Sequence, residues 1–437
     1  MKVFRGVKEK AASARKQTTE EQLLWTATLA FFAFGAVMVY SASSGNAALQ
    51  SGGDPAGYLK RYLIIGMAGL VAMQFASRVS LDKVREVTPA LLIAAVVMLI
   101  VVVGGGGMTV NGASRWLGVG IFSFQPSEIA KIALVLYAAM LISQDPRRVR
   151  DLKSMSNPLF LVIGGVLGLI MLQPDMGTDL VIVASMFMIL LAAGANPRDL
   201  GIVLGVLVGA ALLMAVIEPY RMARITAFLN PGADPTGAGY QSGQARIAIG
   251  SGGLFGVGLG ESVQKIHYMP EAHTDMILAV IGEELGLAGI LFVVTMYVGM
   301  IYLGLRAAKN SRDFYAKLLA VGITSVLACQ ALLNIFAVMG MAPLTGVPLP
   351  FISYGGCNLV IMLTAMGLLV NVASGRHQAN VRVIRGGGGR SRTATPRRQQ
   401  KVAAAGGAPS RPRGGHYESR NRGGGNGRTR RSSSGRR

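Results

Sequence analysis

The sequence predicts an all-α polytopic membrane protein of about ten transmembrane helices, with both termini cytoplasmic and one long extracytoplasmic loop before the eighth helix. Three observations carry this. Of 437 residues, 51% are hydrophobic and only 15% charged, where a soluble domain carries about a quarter charged residues. The apolar residues fall in runs long enough to cross lipid. Lys and Arg gather in alternate connections, the mark of cytoplasmic loops.

The first apolar run, Leu23–Ala42, follows a basic leader at residues 1–21. Ser41, Ala42 and Ser43 offer small residues for cleavage, but the run exceeds a signal-peptide core and further spans follow, so it reads as an uncleaved helix. The next six runs are Tyr62–Ala76, Thr88–Val103, Glu128–Ile142, Leu159–Leu172, Thr178–Ala193 and Leu200–Ile217. Met276–Leu305 is too long for one simple span and carries Glu283 and Glu284, which predicts a bend or tilt. Lys317–Gly340 and Leu359–Ala373 complete the ten.

Orientation follows from the basic residues. They number six in the leader, three in Arg78–Arg85, four in Arg147–Lys153, one at Arg198 and four in Arg306–Lys317. The connections Ser43–Leu59, Gln173–Gly177 and Met341–Cys357 have none. That alternation places residues 219–275 outside as a loop far longer than a helix link needs. Ten glycines between Gly232 and Gly260 would let its bare backbone approach a ligand. From Arg376 onward, 17 Lys and Arg face the single acid Glu418, so most of the net +22 belongs to this segment. Residues 376–437 read as a disordered cytoplasmic tail near anionic lipid. No folded RNA-binding module accompanies its Arg-Gly stretches, and no nucleic acid is expected. Cys329 and Cys357 have neither CxxC spacing nor a His cluster, so neither a disulfide framework nor a zinc site is indicated.

No Walker motif, dinucleotide fingerprint or HExxH is present, so an activated donor would come from the membrane itself. Ionisable residues at span ends are then the signal. Glu128 and Lys131 stand three apart on one helical face, where they either pair or bind substrate. Arg115 beside Trp116 suits phosphate and sugar, although Trp is also common at membrane interfaces. Arg246, Lys265 and His273 are further candidates in or beside the long loop. Asp275 follows that loop at a helix start, either as a plain N-cap or as a reactive carboxylate. Glu283 and Glu284 face a cavity or pair with a base elsewhere, and Gly282 with Gly286 suggests close helix packing.

Taken in order, the motifs resemble the SEDS family (shape, elongation, division and sporulation), which includes the glycosyltransferases FtsW and RodA. They are Gly112-Ala113-Ser114-Arg115-Trp116-Leu117, Gln125-Pro126-Ser127-Glu128 with Lys131, and Gln173-Pro174-Asp175-Met176-Gly177-Thr178. Gly239-Tyr240-Gln241, Ala248-Ile249-Gly250-Ser251-Gly252-Gly253 and Pro270-Glu271-Ala272-His273-Thr274-Asp275 follow. Glu283-Glu284-Leu285-Gly286 and Pro348-Leu349-Pro350-Phe351-Ile352-Ser353-Tyr354-Gly355-Gly356 close the set. Met276 and Cys357 stand where the family usually has Phe and Ser. The resemblance covers Leu23 to Ala373 and implies a membrane domain at 22–375, closer to FtsW than to RodA. It implies a peptidoglycan polymerase acting on lipid II, with undecaprenyl pyrophosphate leaving and Asp275 as the essential acid. Arg115, Trp116, Glu128, Lys131, Arg246, Lys265 and His273 would contact substrate. The implied partners are a class B penicillin-binding protein and other division proteins. No cofactor is evident, and a divalent cation is left open. The rival readings are a lipid II flippase, a non-catalytic scaffold and a rod-shape polymerase; no internal repeat of the kind transporters show is visible.

Overall fold

The computed structural model describes residues 2–50, 54–110, 113–119, 122–150, 156–173, 175–217, 219–230, 237–266, 269 and 272–375. The expected tail at 376–437 lies outside the described residues, as do Gly112, Pro174, His267, Pro270 and Glu271. The first helix, α1 (Lys2–Gln50), takes in the leader as well as the first span, whose apolar part is Thr19–Gly45. The leader is rich in Ala, Lys, Glu and Arg, all good helix formers, so nothing stops the helix at the basic–apolar junction.

Helices α2 (Gly57–Ala76), α3 (Leu81–Val101), α4 (Pro126–Gln144), α5 (Leu161–Met171), α6 (Met176–Ala193) and α7 (Pro197–Ile217) follow. After them come α8 (Pro219–Leu229), α9 (Ala238–Gly252), α10 (Ile277–Asn310), α11 (Phe314–Val338) and α12 (Gly356–Ser374). Eight helices among the described residues are long and apolar enough to cross a membrane. The shorter α5 and the 21-residue α7 occupy the places expected for the fifth and seventh spans.

The bundle is centred on α4 and α11, most of whose residues are buried. Its outer helices turn large apolar side chains outward, among them Ile64, Val71, Phe75 and Leu161. Such a surface suits lipid and no aqueous solvent. Small residues set the helix seams, since association in lipid depends on close packing. On α2 the buried positions Tyr62, Gly66, Gly69, Met73 and Ala76 recur at helical spacing. Gly66 lies against the Phe32 ring, Gly69 against Leu363, and Gly367 of α12 against the Met73 carbonyl. At one end of the bundle, Glu20 of α1 bonds the Arg306 guanidinium at 2.7 Å and Asn310 at 2.9 Å. Asn371 ties α12 to the carbonyls of Ala76 and Val79 at the same end.

Two features depart from a purely helical expectation. Between α3 and α4 lies a three-stranded antiparallel sheet, β1 (Met108–Val110), β2 (Ala113–Val119) and β3 (Phe122–Phe124). Its register pairs Val110 with Ala113 and Val119 with Phe122. The dipeptide Asn111-Gly112 between β1 and β2 is a strong short-range hairpin signal that hydropathy alone passes over.

The second departure corrects the long loop. Residues 219–275 contain α8 and α9, and the glycines after α9 meet a helix instead of an open cleft. Helix α10 breaks at Gly286, where φ is 67° and ψ is −162°. A break there leaves the Glu283 and Glu284 carbonyls and the Leu287 and Ala288 amides without their helical partners. The segment after α9 supplies all four. Val257 and Gly258 donate to the Glu283 and Glu284 carbonyls at 3.0 and 3.1 Å, and Leu287 and Ala288 donate to Gly253 and Leu254 at 3.0 and 3.1 Å. Gly286 lies nine residues into α10, about 13 Å along its axis at 1.5 Å per residue. The segment therefore runs beside the helix, with Leu254, Phe255, Val257 and Leu259 exposed. A Cβ on Gly256 would fall on the Glu284 carbonyl. Gly256→Ala should therefore destabilise by about 1–3 kcal/mol, read as a lower melting temperature in detergent, whereas Gly250→Ala, with open space around it, should not.

Candidate active site

The motif segments collect at the end of the bundle opposite Glu20. Pro126 opens α4, where its missing N–H costs nothing. On either side of it, the Gln125 amide and the Ser127 hydroxyl both donate to Asp175 Oδ2, at 2.8 and 2.9 Å. Asp175 also caps α6, its Oδ1 accepting from the Thr178 amide. Arg115 on β2 is half-buried, and its Nε donates to the Gln173 carbonyl at 3.0 Å. Trp116, half-buried, pairs across the strands with Met108.

One turn deeper, Glu128 and Lys131 bond each other at 2.8 Å with side chains 5% and 1% exposed. The pairing that helical spacing allows is therefore present. Asn358 of α12 donates a second bond to the same carboxylate oxygen at 2.7 Å. Beside it, the Cys357 thiol lies 3.9 Å from the Gln125 carbonyl, the contact a serine hydroxyl would otherwise offer.

Asp275 is not the N-cap of α10. The helix begins at Ile277, and Met276 holds the cap position. The Asp275 carbonyl accepts from the Asn334 amide at 2.7 Å, and its Oδ1 accepts from the Thr274 hydroxyl at 3.2 Å. Asn334 also grips the Val347 carbonyl at 2.8 Å, which brings the connection between α11 and α12 alongside the carboxylate. A Cβ on Gly346 would stand 4.0 Å from Asp275 Oδ2, and the positive φ of 72° there suits glycine. On its other side, this connection packs on Gly177 at the start of α6. The carboxylate, the Gly346 turn and the Gln125–Asp175 network thus adjoin.

His273 sits two residues away in an aromatic cluster, its ring 4.3 Å from that of Tyr58 and 5.5 Å from that of Tyr354. The Tyr354 amide donates to the His273 carbonyl at 2.9 Å. Burial raises the Tyr354 phenol above its ordinary pKa, and the neighbouring Arg61 partly offsets this. Arg246 is exposed on α9 and donates to the Gly340 carbonyl at 3.3 Å, while Arg224 of α8 holds the Leu344 carbonyl at 2.7 Å. These arginines border the connection that flanks Asp275.

Lys265 is placed differently from the substrate contact that the resemblance implies. It is buried, and its ammonium donates to Glu284 Oε1 at 2.7 Å, the Gly260 carbonyl at 2.7 Å and Ser41 at 3.4 Å. Glu283 likewise turns inward, accepting from the Ser262 hydroxyl at 2.5 Å and the Val263 amide at 3.0 Å. Among the described residues, no group of three or more His, Cys, Asp or Glu is arranged to hold a metal ion. Asn334, Asn358 and Tyr58 were not named from sequence, and Tyr354 only within its motif. The first two carried a usable signal, since an isolated amide within an apolar span needs an internal partner.

The FtsW/RodA/SpoVE family of cell cycle proteins matches residues 21–378. The chain is 41% identical over 351 residues to the probable peptidoglycan glycosyltransferase FtsW of Trichlorobacter lovleyi, covering 79% of this chain and 91% of that one. It is 38% identical over 361 residues to stage V sporulation protein E of Bacillus subtilis, covering 82% and 98%. Its fold resembles a chain from a peptidoglycan synthase complex that coordinates polymerization and crosslinking, with a TM-score of 0.67, 27% identity and coverage of 81% and 98%. It also resembles the rod shape determining protein RodA of Thermus thermophilus, with a TM-score of 0.60, 26% identity and coverage of 81% and 97%. With its apolar helices, this likeness makes it a multi-pass protein of the bacterial plasma membrane. The chain belongs to the FtsW/RodA/SpoVE family.

Proposed function

We propose that this chain is an inverting, lipid-linked glycosyltransferase that polymerises lipid II into glycan strands, and that it serves septal wall synthesis in division. The observation that carries the reading is Asp275: a half-buried carboxylate outside the cap position of its helix, at the end of the bundle where the motif segments adjoin. The division assignment is supported by the FtsW relatives at about 40% identity.

Asp275 accepts the proton of the acceptor sugar's 4-hydroxyl. The oxygen attacks the anomeric carbon of the donor N-acetylmuramic acid, forming the glycosidic bond with inversion as the bond to undecaprenyl pyrophosphate breaks. General-base help of this kind contributes about 10²–10⁴-fold. Arg115 and Arg246, at the margins of the same end, suit the charge that builds on the departing pyrophosphate. This end faces outward and both termini face the cytoplasm, a topology supported by the basic residues of alternate connections. The partner is a crosslinking transpeptidase, a class B penicillin-binding protein, in keeping with the synthase complex that the fold resembles.

The test is direct. The purified chain, alone and with that partner, is given lipid II in detergent, and products are resolved by gel. Glycan polymer is expected. Its absence under every condition, from protein that moves lipid II across liposomes, would replace the enzyme with a transporter.

A further inference from the structure

Two ionic side chains flank Asp275 in sequence and meet in space. Lys265 stands ten residues before it and Glu284 nine residues after it, and they bond at 2.7 Å with side chains 3% and 0% exposed. The bond closes a loop at whose middle Asp275 lies. A second stitch runs beside it, from Ser262 and Val263 to Glu283. The backbone bonds across the Gly286 break add a third. The Ser41 hydroxyl of α1 lies 2.7 and 2.6 Å from the two Glu284 oxygens and shares its one proton between them, so the first helix shares the junction.

A salt bridge this deep is a poor source of stability, because desolvating both charges offsets their attraction. Its geometry fixes something else. The three stitches fasten the chain before Asp275 to one place on α10, the helix that follows it, and the helix break beneath them would otherwise act as a joint. Resting on the polymerase reading above, we propose that Lys265 and Glu284 are positioning residues for Asp275: their buried bond holds the segment that carries the carboxylate in register with α10. Neither residue touches substrate. A carboxylate displaced by about 1 Å from its productive place costs about 10²-fold in rate, so a small loosening here reaches the chemistry.

The test uses the full chain with its partner. Lys265→Met alone strands a buried carboxylate and is expected to fold poorly. The informative variant is Lys265→Met with Glu284→Gln, which removes both charges and leaves an amide for Ser41. It should give a monodisperse detergent peak, a turnover number lower by about 10²-fold and a KM for lipid II close to wild type. Lys265→Arg, which keeps the charge, should recover most of the turnover. Wild-type turnover from the folded double variant would overturn the proposal. So would a raised KM at unchanged turnover, which would return Lys265 to substrate binding. Hydrogen exchange separates this from the polymerase reading. The amides of Ile277–Val280 should exchange faster in the double variant, whatever reaction the protein catalyses, and unchanged exchange there would also overturn the proposal. No polymer from wild type, with faster exchange in the variant, would remove the polymerase reading and leave the positioning intact.

Discussion

Asp275→Asn should lower glycan polymerisation by about 10²–10⁴-fold without unfolding the protein. The substitution removes the charge and the proton acceptor while keeping shape. The backbone bond from Asn334 to the residue 275 carbonyl is indifferent to the side chain, and the helix cap belongs to Met276. The Thr274 hydroxyl retains an oxygen to donate to. Among the described contacts of Asp275, none of the usual routes to a large stability loss is opened, and the melting temperature in detergent should stay close to wild type. The measurement is initial polymerisation rate against lipid II concentration, with turnover falling and KM nearly unchanged. Polymer from the folded variant at the wild-type rate would take the general-base role from Asp275.

The apolar runs predicted the spans well because lipid demands length and hydrophobicity, both of which are additive along a sequence. They predicted helix ends less well. The leader continues α1 because basic and apolar helix formers look alike to the backbone, although hydropathy separates them. The small sheet before α4 was missed for the opposite reason: its strands are short, and Asn111-Gly112 is a signal of turn chemistry, not of hydropathy. The glycines after α9 were legible as bare backbone, but not the surface they approach. Their partner is the break at Gly286, some thirty residues later, and a positive φ inside an apolar run has no signature beyond the glycine itself. A separation of 19 residues likewise hid the bond between Lys265 and Glu284. Glu128 and Lys131 were readable as a pair because helical spacing brings them together locally, whereas Asn358, which completes the site, arrives from the last helix.

That completed site supports the second large effect. Lys131→Met should cost about 3–5 kcal/mol, since it leaves the Glu128 carboxylate buried without its cation. Glu128→Gln should cost a similar amount by leaving the ammonium buried without its anion. Both side chains are almost wholly withdrawn from surrounding solvent, and the one other described contact to the carboxylate, from Asn358, is a neutral amide. Combining Glu128→Gln with Lys131→Met removes both charges and leaves an amide facing Asn358. Buried pairs replaced by neutral groups of similar volume are often no less stable than the original, so the double variant should regain most of the melting temperature lost by Lys131→Met. The sum of the two single losses would be the signature of independent sites and would sink the pairing. The stable double variant then separates structure from chemistry. The pair lies one turn inside α4, below the Gln125–Ser127–Asp175 network, so if its task is to hold α12 through Asn358, polymerisation returns along with stability. A folded double variant that binds lipid II but does not polymerise it would move the pair from the scaffold into the reaction.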